Sequence, residues 1–572
     1  MSGPGSLGNR LAMWRARRAA PAKGFVSQPE PRSIGMYARG RQLVAGNFQF
    51  AGQVIEAPGA AIWDIGLADE AAAEELHGFV WLDDLAALGD AGARARAQGW
   101  VWDWIARFGG GRGPGWTPDL TGRRLIRWIN HAILLLNGQE RTASERFYRS
   151  LSAQVVFLSR RWKHAAAGLP RFEALTGLIY AGLALTGMEA RVLPAVAALA
   201  EECGREVEGK GGIPTRNPEE LLEVFTLLTW AEQALSEAGH VPPPALVRAL
   251  ERMAPSLRAL RHSDGGLARF HGGGRGAEGR LDQALAQTGL RPGPGTGQQL
   301  AMGFARMAEG RTSVIVDAAS PPDARAGMAA HASTGGFELT SGRRPLIVSC
   351  GSGAPFGSDW RRAGRATASH STLAVDGYSS SRLRAGDGRE VLVDRAEVTA
   401  LQQASLPEGL HLYMAHSGWS ATHGLTHSRD LLLTHDGRRF AGEDALVAQT
   451  FAEQARFEQL LSEGRMAGVG FAVRFHLHPD VDAVVDLGGT AISLALKSGE
   501  IWVFRHDGGA ALTLEPSVYL EKGRLRPRPT RQIVLSARAM APQTRIGWTL
   551  AKAQDTPLAI RDLERDDLPV PI

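Results

Sequence analysis

Histidine and arginine crowd one stretch of the chain. It opens with Ala330-His331-Ala332-Ser333-Thr334-Gly335-Gly336-Phe337-Glu338-Leu339 and closes with Trp360-Arg361-Arg362-Ala363-Gly364-Arg365-Ala366-Thr367-Ala368-Ser369-His370-Ser371-Thr372-Leu373. Imidazole titrates near neutrality and ligates metals, so His331 and His370 are candidates for proton transfer or for holding an ion. Arginine grips carboxylates and sulfates with a planar fork of donors, which makes Arg362 and Arg365 candidate anion contacts. A second polar group precedes a helix start at Pro218. Arg216 and Asn217 offer one charged and one neutral donor, a set suited to a carboxylate. Asn217 before Pro218 also fits a helix N-cap. Gly209, Gly211 and Gly212 leave that loop's backbone free to approach another surface. A third group, Tyr413, His416, Trp419, His423 and His427, lies further along. His262, Arg269 and His271 sit near the middle of the chain.

Two kinds of secondary structure must position these residues. Before residue 261 apolar residues recur at helical spacing, as in Trp81–Leu88 and Arg123–Leu136. Loops carry Gly or Pro, such as Gly168-Leu169-Pro170 and Val241-Pro242-Pro243-Pro244, so paired antiparallel helices are expected. Trp100, Trp102 and Trp104 are read chiefly as core. After Arg311 period-2, β-branched runs take over, separated by turns such as Asp436-Gly437 and Ser498-Gly499, which predicts a large antiparallel β-sandwich. The expected organisation is a mobile tail over 1–24, a helical domain with short N-terminal strands over 25–300, and a sandwich over 301–572. Residues 275–300 read as a loop with weak helix. A ligand cleft is expected where the two domains join.

Composition narrows the function classes. The chain has 572 residues, 44% hydrophobic and 22% charged, which is ordinary for a globular protein and too long for one core. A net charge of +5 is mild over that length; it suits an acidic polymer and does not call for nucleic acid. Two cysteines, Cys203 and Cys350, permit neither a disulfide framework nor zinc-finger spacing. No run is apolar enough to span a membrane, and no apolar run of signal-peptide length follows the basic N-terminus.

The order of helices and strands, joined by His-Ala-Ser-Thr-Gly-Gly-Phe-Glu-Leu and Arg-Ala-Thr-Ala-Ser-His-Ser-Thr-Leu, resembles the heparinase II/III-like family over about residues 80 to 550. The resemblance implies an incomplete (α/α) toroid followed by a β-sandwich, and β-elimination on a uronate-containing polysaccharide. That reaction needs a group to neutralise the uronate carboxylate, a base for the C5 proton and an acid for the departing oxygen. Against those demands Asn217, Arg216 and His370 are the candidate catalytic residues, and Arg362, Arg365, His427 and Trp419 the candidate substrate contacts. The turn around His331 is similar to a family pattern His-x-His-x-Asp. On it the catalytic His falls at Ala329, the second His on His331 and the Asp on Ser333. Some relatives hold a structural zinc with the second His, the Asp and the His of the second motif. Here only His331 and His370 remain of that set, so no cofactor is expected and zinc is a weak possibility. The family's toroid Tyr has no counterpart in the matching stretch 211–220, nor its Asn-His pair in Gly168-Leu169-Pro170-Arg171. The expected partner is thus an acidic polysaccharide. Family resemblance points to the cell envelope or periplasm, and the N-terminus leaves the cytoplasm open. Two alternatives stand beside the lyase: a non-catalytic glycan-binding or envelope-assembly protein that kept the fold, and a hydrolase using paired carboxylates.

Overall fold

The computed structural model describes residues 7–553 except 28, 29, 68, 291–298, 387 and 388. Helices occupy the N-terminal half and antiparallel sheets the C-terminal half. The described residues form two compact units, 7–208 with 223–252, and 209–222 with 253–553. The loop carrying Arg216 and Asn217, assigned above to the helical domain, therefore belongs with the sheets.

In the helical unit, helices Pro118–Asn130 and Leu169–Ala184 meet at glycines. A Cβ on Gly177 would stand 2.5 Å from the Gly122 Cα, so only glycine permits that crossing. Trp104, Trp116 and Trp128 are fully buried, and the Arg124 guanidinium lies 4.1 Å over the Trp104 ring. Trp100 is core as well. The described part of the expected mobile tail is instead ordered. Leu7–Ala16 is a helix that buries Ala12, Met13 and Ala16. Asn9 locks it, donating to Trp116 O at 3.0 Å and accepting from Arg161 Nε at 2.7 Å. The apolar seam is too short, and its Ala residues too small, to register as periodicity. Among the described residues no helix is long and apolar enough to cross a membrane.

The second unit is a sandwich. One sheet runs, in neighbour order, Val398–Leu406, Gly409–Trp419, Leu425–Thr434, Arg439–Val447, Gln543–Lys552, Ile501–His506, Ala491–Ala495 and Asp482–Asp486. The other runs Ala511–Tyr519, Arg528–Ala539, Val469–Leu477, Arg344–Val348, Phe337–Ser341, Thr312–Asp317 and Phe304–Glu309, with Leu373–Val375 paired to Val469–Leu477. All these pairings are antiparallel. Phe337 and Phe475 from one sheet and Phe440, Phe504 and Trp548 from the other fill a shared core, which is why both sheets hold together. Thr312–Asp317 is buried along its whole length, as a strand covered on both faces must be. Within the expected weak loop, Arg280–Gln287 is helical, and 291–298 lie outside the described residues.

Candidate functional site

The two motifs singled out in sequence come together at the turn between strands Thr312–Asp317 and Phe337–Ser341. The turn closes through Gly335 N–H to Asp317 O and Asp317 N–H to Gly336 O, both 2.8 Å. Gly335 has φ 80°, and a Cβ on Gly336 would stand 2.8 Å from Ser333 O, so the Gly-Gly pair is required by the turn. The second motif clamps it. Arg365 Nε donates to Ala330 O at 2.8 Å, Ala332 N–H to Arg365 O at 2.9 Å, and Thr367 Oγ1 to Ala332 O at 2.9 Å.

Beneath the turn lies Asp317, fully buried. A buried carboxylate needs partners, and it has two hydrogen bonds with a histidine close by. Arg216 Nη2 donates at 2.5 Å, Ser333 Oγ donates at 2.6 Å, and His271 Nε2 stands 3.4 Å away. The rest of the Arg216 guanidinium is equally engaged. Nε donates to Met302 O (3.0 Å), Nη1 to Ala319 O (3.2 Å) and Ser320 O (2.7 Å), and Nη2 also to Gly303 O (3.1 Å). Its carbon centre lies 4.8 Å over the Phe304 ring, and its φ of 50° is a left-handed conformation rare for arginine. Every N–H donor of Arg216 is spent on protein.

The imidazoles line up beside this pair. His271 Nδ1 accepts from the His331 backbone N–H at 3.2 Å, which puts the His271 proton on Nε2, facing Asp317. The His331 and His370 rings lie 5.2 Å apart, and His370 Nδ1 is 3.0 Å from Ser349 Oγ. The three residues are 1%, 2% and 0% exposed in the order 271, 331, 370. Burial, reinforced by neighbouring cations and imidazoles, pushes all three well below the ordinary histidine pKa, so they are neutral. His271 Nε2, His331 Nδ1 and His370 Nε2 have no hydrogen-bond partner. They do not close a metal site. The carboxylate position of the family pattern is a serine whose hydroxyl is given to Asp317. Among the described residues no three His, Cys, Asp or Glu side chains are grouped to hold an ion.

Asn217 differs from Arg216. It caps helix Pro218–Glu237: its Oδ1 accepts from Glu219 N–H (3.0 Å) and Glu220 N–H (3.2 Å). These two donors fix which side-chain atom is oxygen, and so aim Nδ2 outward. That amide has no partner among the described residues, and Asn217 is only partly buried. Its neighbours are bare backbone. A Cβ on Gly273 would stand 2.4 Å from Asn217 Oδ1, and one on Gly272 would stand 4.0 Å from Asn217 Nδ2 and 3.0 Å from the Ala329 Cβ. Ala329 is exposed. Asn217, Gly272 and Ala329 thus form a small accessible strip holding one free amide donor and one methyl group.

The remaining sequence expectations divide sharply. Arg365, expected as a substrate contact, is turned into the protein. It is buried on Ala330 O, Glu390 O (3.0 Å) and Gly327 O (3.3 Å), and burial lowers its pKa to about 10. His427, also expected as a substrate contact, sits in the sandwich between His416 Nε2 (3.0 Å) and Asp444 Oδ1 (2.8 Å). Asp444 also takes two bonds from Arg429 and one from Trp548. Burial opposes its ionisation, but Arg429 and His427 outweigh that and hold it well below the usual carboxylate range. Trp419 is fully buried with its Nε1–H on Tyr378 O at 3.2 Å. Arg216 and His370, expected to be catalytic, are enclosed by protein. Arg362 alone of the predicted cations is exposed, 3.4 Å from Glu390. Sequence reasoning gave no role to Asp317, and saw His271 only as a histidine near the join. Glu338 entered only as part of the Gly-Phe-Glu-Leu motif. It is buried on His262 Nε2 (3.3 Å) and Arg269 N–H (3.1 Å); burial would raise its pKa, but these partners bring it to about 2. An acid ending a Val-Ile-Val-Asp strand, and a His before Gly-Gly-Gly, were the available signals.

Comparison with known proteins gives three kinds of likeness. Residues 291–549 match the family model described as heparinase II/III-like, C-terminal. FtsZ-localized protein C of Caulobacter vibrioides (strain NA1000 / CB15N) is 30% identical over 547 residues, 93% of this chain and 91% of that protein. The crystal structure of heparinase III superposes with a TM-score of 0.69 at 12% identity, covering 95% of this chain and 89% of that one. Heparan sulfate lyase HepC from Pedobacter heparinus superposes at 0.55 and 14% identity, covering 96% and 88%. At such identities the superpositions speak for the fold.

Proposed function

The chain belongs to the heparinase II/III-like family, and from that premise we propose that it binds an acidic polysaccharide at the Asn217–Ala329 strip without cleaving it. The observation that carries the reading is the pairing of a free, oriented amide with a missing base. A neutral amide donor to a uronate carboxylate is what recognition needs, and a hydrogen bond to a charged group contributes about 1.5–3 kcal/mol. Elimination also needs a base within reach of the C5 proton. The position that the family resemblance gives to the catalytic His is Ala329, and the nearby imidazoles of His271, His331 and His370 are enclosed. The unpartnered Asn217 amide favours a second reading, a lyase whose base comes from elsewhere. The name of the Caulobacter relative supports extending FtsZ localisation to this chain, so a fluorescent fusion should follow FtsZ in dividing cells.

The substitution Asn217→Asp separates recognition from folding. Aspartate keeps the cap acceptor, loses the donor and adds a repelling charge. Binding of uronate oligosaccharides should fall at least tenfold with the melting temperature unchanged. Ultraviolet absorbance of unsaturated uronates should stay at baseline in the unmodified protein. A steady rise would establish the lyase instead, and unchanged binding by Asn217→Asp would overturn the assigned strip.

A further inference from the structure

The helical unit carries a feature that the strip at Asn217 does not use. Between helix Leu7–Ala16 and the turn at 110–114 runs a groove of about 1050 Å³. Arg10, Arg17, Arg18 and Arg112 line it, all exposed, and among the described residues none of them forms an ion pair with a carboxylate. Trp14, 54% exposed, lies among them, and the Arg18 guanidinium stacks 3.6 Å from its ring centre. The far wall is glycine-rich backbone. Gly111 has φ 91°, and a Cβ there would stand 2.7 Å from Met13 Cγ, so the wall keeps its close approach only with glycine.

We propose that this groove is a second site for an acidic oligosaccharide, an inference that rests on the reading of the chain as a binder of acidic glycans. Guanidinium forks on both walls match carboxylates or sulfates spaced along a sugar chain. An indole face offers the apolar side of a sugar ring a surface to stack on. The shape favours an extended chain over a bilayer. A flat lipid surface does not fill a concave groove, and the helix spends Ala12, Met13 and Ala16 on the protein, leaving Leu11 and Trp14 as its exposed large apolar residues, a narrow face for a bilayer. The stacked Arg18 also keeps a charge against the ring that a bilayer would have to take in. Glycan chemistry is favoured over an acidic peptide because the groove pairs its cations with an aromatic face.

The test counts sites. Calorimetry with a short sulfated uronate oligosaccharide, too short to bridge two sites, should give two bound per chain. Arg10→Ser/Arg17→Ser/Arg112→Ser, three exposed changes, should leave one bound, and Asn217→Asp should leave the other. If the triple variant still takes two, the groove proposal is overturned and the reading of the strip stands. If Asn217→Asp still takes two while the triple variant takes one, the strip fails and the groove stands. Loss of binding to phosphatidylglycerol vesicles or to polyglutamate in the triple variant, with oligosaccharide stoichiometry intact, would also overturn the proposal. Arg112→Glu alone, on the opposite wall from the helix, should weaken the groove site at least tenfold.

Discussion

Arg216 is the residue whose perturbation discriminates best. Sequence alone makes it a ligand contact, so Arg216→Ala would weaken binding and leave folding intact. The structure predicts the reverse. The substitution removes the strongest partner of Asp317, a carboxylate with no exposure, and strips hydrogen bonds from Met302, Gly303, Ala319 and Ser320 carbonyls. Breaking a buried pair by removing one partner costs about 3–5 kcal/mol, because the remaining charge stays buried. At ~2 °C per kcal/mol, a value suited to a large unit, the sheet unit's melting temperature should drop by roughly 6–10 °C. Calorimetric unfolding reads this directly. Asp317→Asn should also destabilise, and the double variant Arg216→Ala/Asp317→Asn should lose less than the sum of the two by ~0.5–3 kcal/mol, the range for residues in contact. An Arg216→Ala protein that melts like the unmodified one and has lost glycan binding would refute the argument, for the guanidinium would then face ligand.

Acid should weaken the sheet unit earlier than its carboxylates require. His271 and His416 sit well below the ordinary pKa when folded, so their stabilising contribution is complete above about 6.5 and is lost as pH falls from there toward the folded values, at up to about 1.4 kcal/mol per pH unit for each. Urea unfolding of the transition that Arg216→Ala shifts should be flat from pH 7.5 to about 6.5 and decline below it; a flat profile to pH 5 would contradict the neutral assignment. Purified protein should hold no stoichiometric zinc, since Ser333 replaces the carboxylate ligand; elemental analysis showing zinc that vanishes in His331→Ala would reverse that. Gly177→Ala should cost roughly 1–3 kcal/mol in the helical unit by forcing the Gly122 crossing apart, measurable by thermal melting; no loss would mean that the helices slide freely.

The fold was legible because its signals are local. Glycine turns, helical spacing and period-2 strands are each written within a few residues, and the Gly-Phe-Glu-Leu and Ser-His-Ser-Thr-Leu motifs named the turn and its clamp. The chemistry of individual side chains was less so. Arg216 and Asn217 are adjacent and look alike as donors, yet one is spent on a partner 101 residues away and the other is free. Nothing in a sequence says whether an arginine's donors meet carbonyls or solvent. His427 and Trp419 failed for a related reason: alternation assigns strand residues to two faces, but a histidine that pairs with His416 and Asp444 satisfies the inward face as well as a leucine does. Helix Leu7–Ala16 escaped because its buried side is made of alanines, a methionine and one asparagine.

The loop 209–222 has a consequence for how this protein can be divided. The chain leaves the helical unit at 208, contributes a short segment to the sheet unit, returns for 223–252 and leaves again. A fragment beginning at residue 291, where the match to the family's C-terminal model starts, would include Asp317 and His331 but neither Arg216 nor His271. Its central carboxylate would be stranded and its turn unsupported. The stretch that the C-terminal family model matches and the body that folds are therefore different pieces of the polymer. Truncation, domain exchange or fusion at that boundary should yield aggregates, whereas circular permutation that preserves 209–222 with the sheets should not.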